Sequence, residues 1–154
     1  MYGASRHAIR GFTLTELVVV IVVTAILAVA IGARFLSRST FEARGSFDQA
    51  QALVRYAQKA AIAQRRSVFV ALNSGVLAAC FDAGCAVAVQ DPGSGGALAT
   101  TPPVGGAFAL APSVFSFDGL GRPVPDGQYS VSVSMSGEGS RSFTIERGTG
   151  YVHP

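Results

Sequence analysis

The chain has 154 residues, 49% of them hydrophobic and only 14% charged, which suits one modest domain with an appendage. Its net charge of +3 is unevenly laid out: seven cations against Glu42 and Asp48 between Arg34 and Arg66, then three arginines against six carboxylates from Ser67 onward. The basic character therefore belongs to the leader and the segment after the apolar run. It is not the broad basic patch that signals nucleic acid.

Residues 1–11 are short and polar, with Arg6, His7 and Arg10. Phe12 to Ala33 then reads FTLTELVVVIVVTAILAVAIGA, with 17 uncharged residues from Leu17 to Ala33 and 22 residues counted from Phe12. At ~1.5 Å per residue a helix of that length crosses a hydrocarbon core of about 30 Å. Arg6 and Arg10 put the N-terminal end on the cytoplasmic side, although Arg34 and Arg38 beyond the run weaken that asymmetry. An ordinary secretory signal is cut after its apolar core. Here the small residue available for cleavage, Gly11, precedes the core, so cutting there leaves the helix on the mature protein.

Glu16 is the anomaly of the segment. A carboxylate inside a membrane helix costs ~2.5–3.5 kcal/mol on insertion scales and is usually kept for a partner. One alternative is that it lies near the interface and snorkels into water. The other is that, after cleavage, the α-amino group of Phe12, one helical turn away, supplies the cation. In a bundle, Glu16 of one subunit would neutralise the Phe12 amine of its neighbour, and only in the correct axial register.

Arg10-Gly-Phe-Thr-Leu-Thr-Glu16 followed by an apolar run resembles the class III signal of type IV prepilins and type II secretion pseudopilins. The resemblance implies an α+β pilin fold, with one long N-terminal helix packed on an antiparallel sheet or sandwich domain. It implies cleavage after Gly11 and N-methylation of Phe12 by a prepilin peptidase, and subunit assembly through Glu16. The partners it implies are other pilin or pseudopilin subunits, the peptidase and an inner-membrane assembly platform. The protein would be single-pass in the bacterial inner membrane, head in the periplasm, before entering a pilus or pseudopilus. One departure is that major pilins commonly carry a proline near the end of the apolar stretch, where this chain has Gly32-Ala33.

The expected division is a leader over 1–11, a transmembrane and assembly helix over 12–36, an amphipathic helix of the head over 37–66, and a β domain over 67–154. In the second helix Phe47, Ala50, Val54, Ala57 and Ala61 recur at spacings of three and four, which marks an apolar face. Arg44, Asp48, Arg55, Lys59 and Arg66 cluster roughly 130° away at about 100° per residue, as a solvated stripe. With no proline before Pro92, a helix from about Thr13 to Arg66 is expected, with Gly45 as its weak point.

From Ser67 the period changes to two. Residues 67–72 and 76–81, around a turn at Asn73-Ser-Gly75, predict a hairpin. Further strands are expected at 86–90, 114–117, 128–135 and 140–146, with a turn at 136–139. Cys80 and Cys85 bracket a short loop. Without further cysteines or a histidine pair they do not make a metal-ligand set, and they read as a disulfide formed in an oxidising compartment such as the periplasm. Residues 91–112 (DPGSGGALATTPPVGGAFALAP) read as an exposed variable loop.

Phe117-Asp-Gly-Leu-Gly-Arg-Pro123 and Gly148-Thr-Gly-Tyr-Val-His153 resemble the GspH/FimT branch of pseudopilins and minor pilins. The closing Thr-Gly-Tyr-Val-His is similar to minor pilins of mannose-sensitive haemagglutinin (MSHA) type pili. Asp118 and Asp126 read as turn residues, and Arg122 as an anchor for its loop. No catalytic constellation, metal site or cofactor motif is present in the sequence, since the histidines are His7 in the leader and His153 near the end. Three functional readings follow: a structural minor pilin, a type II secretion pseudopilin, and a DNA-capturing competence pilin. For the last, only Arg141 and Arg147 lie near the C-terminal segment, which is weak phosphate neutralisation.

Overall fold

The computed structural model of the full chain describes residues 12–136 and 139–154, with side chains left out for 29–40. The chain divides into two compact units, Met1–Arg38 and Ser39–Pro154. One α-helix, α1 (Leu14–Gln64), is followed by nine strands. Its bounds lie within two residues of those expected from the sequence, and neither Gly32 nor Gly45 interrupts it.

In the first unit Thr13 caps the helix. The backbone N–H of Glu16 donates to Thr13 Oγ1 at 3.3 Å and to the Thr13 carbonyl at 3.1 Å. These contacts satisfy a donor that the helix start leaves unpaired. The described apolar side chains from Leu17 to Leu27 are exposed. Thr24, the polar residue in their midst, turns its hydroxyl back onto the carbonyls of Val20 and Ile21, at 2.8 and 3.0 Å. No unsatisfied hydroxyl is therefore offered to an apolar solvent. Among the described residues no helix is long and apolar enough to cross a membrane. The side chains of the expected span beyond Ala28 lie outside the described residues.

In the second unit α1 buries the face anticipated from its spacing: Ala50, Val54, Ala57 and Ala61 are fully covered. Phe47 sits at the margin, edge-on to Phe143 at 5.6 Å between ring centres. The helix ends at Gln64; Arg65 adopts positive φ (50°), and Arg66 N–H reaches back to the Ala61 carbonyl at 3.2 Å. This is a left-handed helix stop made without glycine.

Two antiparallel sheets cover that face. The first has the order β3-β2-β1-β5-β6, built from Ala99–Thr100, Val76–Cys80, Val68–Asn73, Val114–Phe117 and Pro123–Val124. The second has the order β4-β7-β8-β9, from Gly106–Ala111, Tyr129–Met135, Gly139–Ile145 and Val152–His153. The β1–β2 hairpin turns through Ser74 and Gly75, both at positive φ, as a tight two-residue connection needs. The core joins the alanine-rich helix face to Val70, Leu77, Phe115, Val131, Phe143 and Ile145, among others. Small residues on the helix let the sheets approach, and the bulk comes from the strands.

Two expectations are corrected. Residues 86–90 form no strand but make only isolated bridges, Cys80 with Ala88 and Gln90 with Ala97. Val89 N–H donates to Ala79 and Val89 C=O accepts from Leu98, so the segment zigzags between two neighbours instead of forming a ladder. The stretch 91–112 is not simply an exposed loop: it supplies β3 and the six-residue β4. In Gly-Ala-Phe-Ala-Leu-Ala, Phe108 and Leu110 point into the core while Ala107, Ala109 and Ala111 face out. Alanine on the outer face hid the alternation, because it reads as apolar on both sides. The turn expected at 136–139 falls partly outside the described residues.

Candidate functional site

Gly11 lies outside the described residues. Phe12 precedes the helix and is 74% exposed. Glu16 stands in the first turn of α1, exposed, three residues after the Thr13 cap. Thr13-x-x-Glu16 has the spacing of a capping box, a signal readable in the sequence but overshadowed there by the carboxylate itself. The cap fixes where the helix begins and holds the Glu16 backbone within its first turn.

Cys80 and Cys85 are joined as a disulfide, Cys80 buried at the end of β2 and Cys85 half-buried at φ 59°. Asp82 organises the loop between them: its carboxylate accepts from Ala86 N–H at 2.9 Å and Val87 N–H at 2.7 Å. Those two backbone donors hold the Asp82 carboxyl below its usual range. Arg66, exposed at the end of the expected stripe, also lies over the Phe81 ring at 4.0 Å.

The two glycine-containing motifs of the C-terminal half meet at the helix. Gln58 Nε2 donates to the Gly121 carbonyl at 2.9 Å and to the Thr149 carbonyl at 3.1 Å. Arg55, exposed on the stripe that the spacing marked, donates from Nη2 to the Val152 carbonyl at 3.0 Å and so pins β9. Gly121 (φ 81°) packs where a methyl group would come within 2.7 Å of Ile62 Cδ1. A methyl group on Gly150 (φ 68°) would strike the Gly121 carbonyl oxygen. Glycine is therefore favoured at both by conformation, and at Gly150 also by space, since the atom in the way there is backbone.

The turn residues behave as anticipated. Asp118 accepts from the N–H groups of Leu120 and Arg122, at 2.9 and 2.8 Å, and pairs with the Arg122 guanidinium at 2.9 Å. Asp126 accepts from Gly148 N–H at 3.1 Å, tying the second motif to the loop before β7. His153 Nε2 lies 2.9 Å from Glu146 Oε1, and Gln128 donates to the same oxygen at 3.2 Å. The Glu146 contact raises the His153 pKa, and the His153 contact lowers that of Glu146. Both ring nitrogens of His153 are engaged, since Nδ1 lies 3.0 Å from the Pro154 carbonyl. Among the described residues no cluster of three or more His, Cys, Asp or Glu could hold a metal ion.

The family model described as the prokaryotic N-terminal methylation motif matches residues 6–32. No curated protein sequence matches the chain. Among solved structures, the type IV minor pilin FimU of Pseudomonas aeruginosa strain PAO1 superposes with a TM-score of 0.59 at 17% identity, over 74% of this chain and 88% of that one. A second crystal form of FimU gives 0.52 at 16% identity, over 71% and 90%. The chain thus joins a prokaryotic N-terminal methylation motif to a fold similar to that of a type IV minor pilin.

Proposed function

We propose that this chain is a structural minor subunit of a type IV pilus and has no catalytic role. The observation that carries the reading is the joining of a methylation motif at residues 6–32 to a minor-pilin fold in one chain. A prepilin peptidase cuts after Gly11 and methylates Phe12. Residues 12–36 then hold the subunit in the inner membrane, with residues 37–154 on the periplasmic side. The assembly platform withdraws the processed subunit into a filament made with other pilins.

Assembly rests on Glu16. Two like subunits bring a carboxylate and a terminal amine to the same depth, and in a medium of low dielectric each charge is stable only when paired. The finer reading is a minor pilin of an MSHA-like pilus. Its support is the likeness of the closing residues Thr149 to His153 to those of MSHA-type minor pilins.

Mass spectrometry of sheared, purified pili tests the proposal. The expected result is a peptide beginning at N-methylated Phe12, at low abundance. Unprocessed chain in every fraction would overturn the reading of Gly11. Processed chain confined to the cell envelope would shift the assignment to a secretion pseudopilus.

A further inference from the structure

Three open depressions run into one another between α1 and the chain that connects β2 to β4. The largest, about 890 Å³, is bounded by Tyr56, Gln64 and the segment around Asp91. The next, about 370 Å³, shares Tyr56, Asp91 and Pro92 with it and continues along Ala52 and Leu53 to β3. A third, about 440 Å³, shares Gln49 and ends between Glu42 and Val104. From Glu42 to Gln64 the helix rises about 33 Å at ~1.5 Å per residue. That length matches about ten residues of extended chain at ~3.3 Å each. An open run of depressions of this length suits an extended polypeptide better than a compact ligand.

Its walls offer what an extended chain requires. β3 is the outer strand of the five-stranded sheet. Ala79 N–H donates to the Leu98 carbonyl at 3.0 Å, and Ala78 lies opposite Ala99. Alternation along the strand therefore turns the N–H and C=O of Ala99 away from β2, toward the open edge. The Tyr56 hydroxyl and the Gln64 amide make no hydrogen bond among the described residues. The charged residue that lines the two depressions meeting at Tyr56 is an acid, Asp91. Asp91 is held in place by the Ser94 hydroxyl at 2.6 Å and pairs with no cation among the described residues.

We infer that this trough receives an extended, cation-bearing segment of a neighbouring pilus subunit. The segment adds to the β3 edge at Ala99 and lays small or apolar side chains on Ala52, Leu53 and Tyr56. Its cation meets Asp91. The inference rests on the pilus reading above for the identity of the neighbour.

The test uses the full-length chain in its own cells, with the photoreactive residue p-benzoylphenylalanine replacing Ala52. The same replacement at Ser130, on the exposed face of β7, is the control. The expected result is an adduct from Ala52 that maps to an extended segment of another subunit and is absent at Ser130. Asp91→Asn lowers its yield about tenfold, the effect of losing one charge-assisted contact. Because Asp91 also holds its own loop, Gln64→Lys is a second arm: the exposed Gln64 amide makes no hydrogen bond among the described residues, and a cation placed there repels that of the segment and lowers the yield as well. Adducts confined to this chain, adducts with carbohydrate, or equal yields at Ala52 and Ser130 would each overturn the inference. Pili and envelope are read separately. If the chain is missing from pili, the pilus reading fails, while the envelope adduct still decides what fills the trough.

Discussion

The side-chain amide of Gln58 lies so close to Gly150 that a methyl group on that glycine would come within 2.6 Å of Nε2. The same nitrogen bonds the carbonyls of Gly121 and Thr149, which are 28 residues apart in the chain (149 minus 121). One helix residue thus holds both C-terminal motifs, and their glycines are there to let it in.

Replacing Gln58 with alanine is expected to destabilise the head by about 1–2 kcal/mol, from two hydrogen bonds at a half-exposed site. Denaturant unfolding of the full chain in detergent, read by circular dichroism, would show a lower midpoint with an unchanged slope. An unchanged midpoint would mean that water replaces the amide without loss.

Gly150→Ala and Gly148→Ala separate conformation from space. Both glycines have positive φ, at 68° and 74°, but a methyl group at Gly148 meets nothing within 4 Å. Gly148→Ala should cost about 1–2 kcal/mol, the left-handed penalty alone. Gly150→Ala adds a collision with the Gly121 carbonyl and Gln58, so it should be clearly worse. Equal losses would show that the β5–β6 loop yields freely.

The Glu146–His153 pair makes the closure of β9 pH-dependent. The His153 pKa is raised in the fold, so its contribution is complete below the unfolded value near 6.5 and is lost as pH rises through the folded value. The Glu146 pKa is lowered, so its contribution is present above the ordinary carboxylate range and is lost as pH falls through the folded value. Titration of the His153 ring protons by NMR should give a midpoint above 6.5, moved down by Glu146→Gln. A midpoint that ignores that substitution would sink the pairing.

Reduction should loosen the Asp82 loop more than it unfolds the protein. Closing a loop with Cys80 and Cys85 five positions apart contributes about 2 kcal/mol on chain-entropy grounds. Cys80→Ser with Cys85→Ser is expected to lower stability by about that amount. In the unreduced protein neither thiol should react with an alkylating reagent, and labelling of both would contradict the bond.

Glu16→Ala should leave membrane insertion intact, or improve it slightly, and abolish recovery of the chain in sheared pili. Normal recovery would mean that Glu16 does not pair with the Phe12 amine of a neighbour.

The sequence by itself determined the parts that rest on local periodicity and local chemistry. The methylation motif, the extent of α1, its buried alanine face, the first hairpin, strands β5, β7 and β8, and the Cys80–Cys85 bond were all legible. Each depends on residues a few positions apart. Only the tertiary structure decided the rest. β3, β6 and β9 are two residues long and exist because longer strands offer them an edge, which no local pattern records. β4 was masked by alanines that satisfy an outer face as readily as an inner one. Arg55 and Arg66 lie on the exposed stripe that the spacing marked, yet each, like Gln58, finds a partner 15 or more positions away in sequence: Arg55 at Val152, Gln58 at Gly121 with Thr149, and Arg66 at Phe81. Long-range hydrogen bonds are specified by where two surfaces meet, and that meeting is a property of the folded chain.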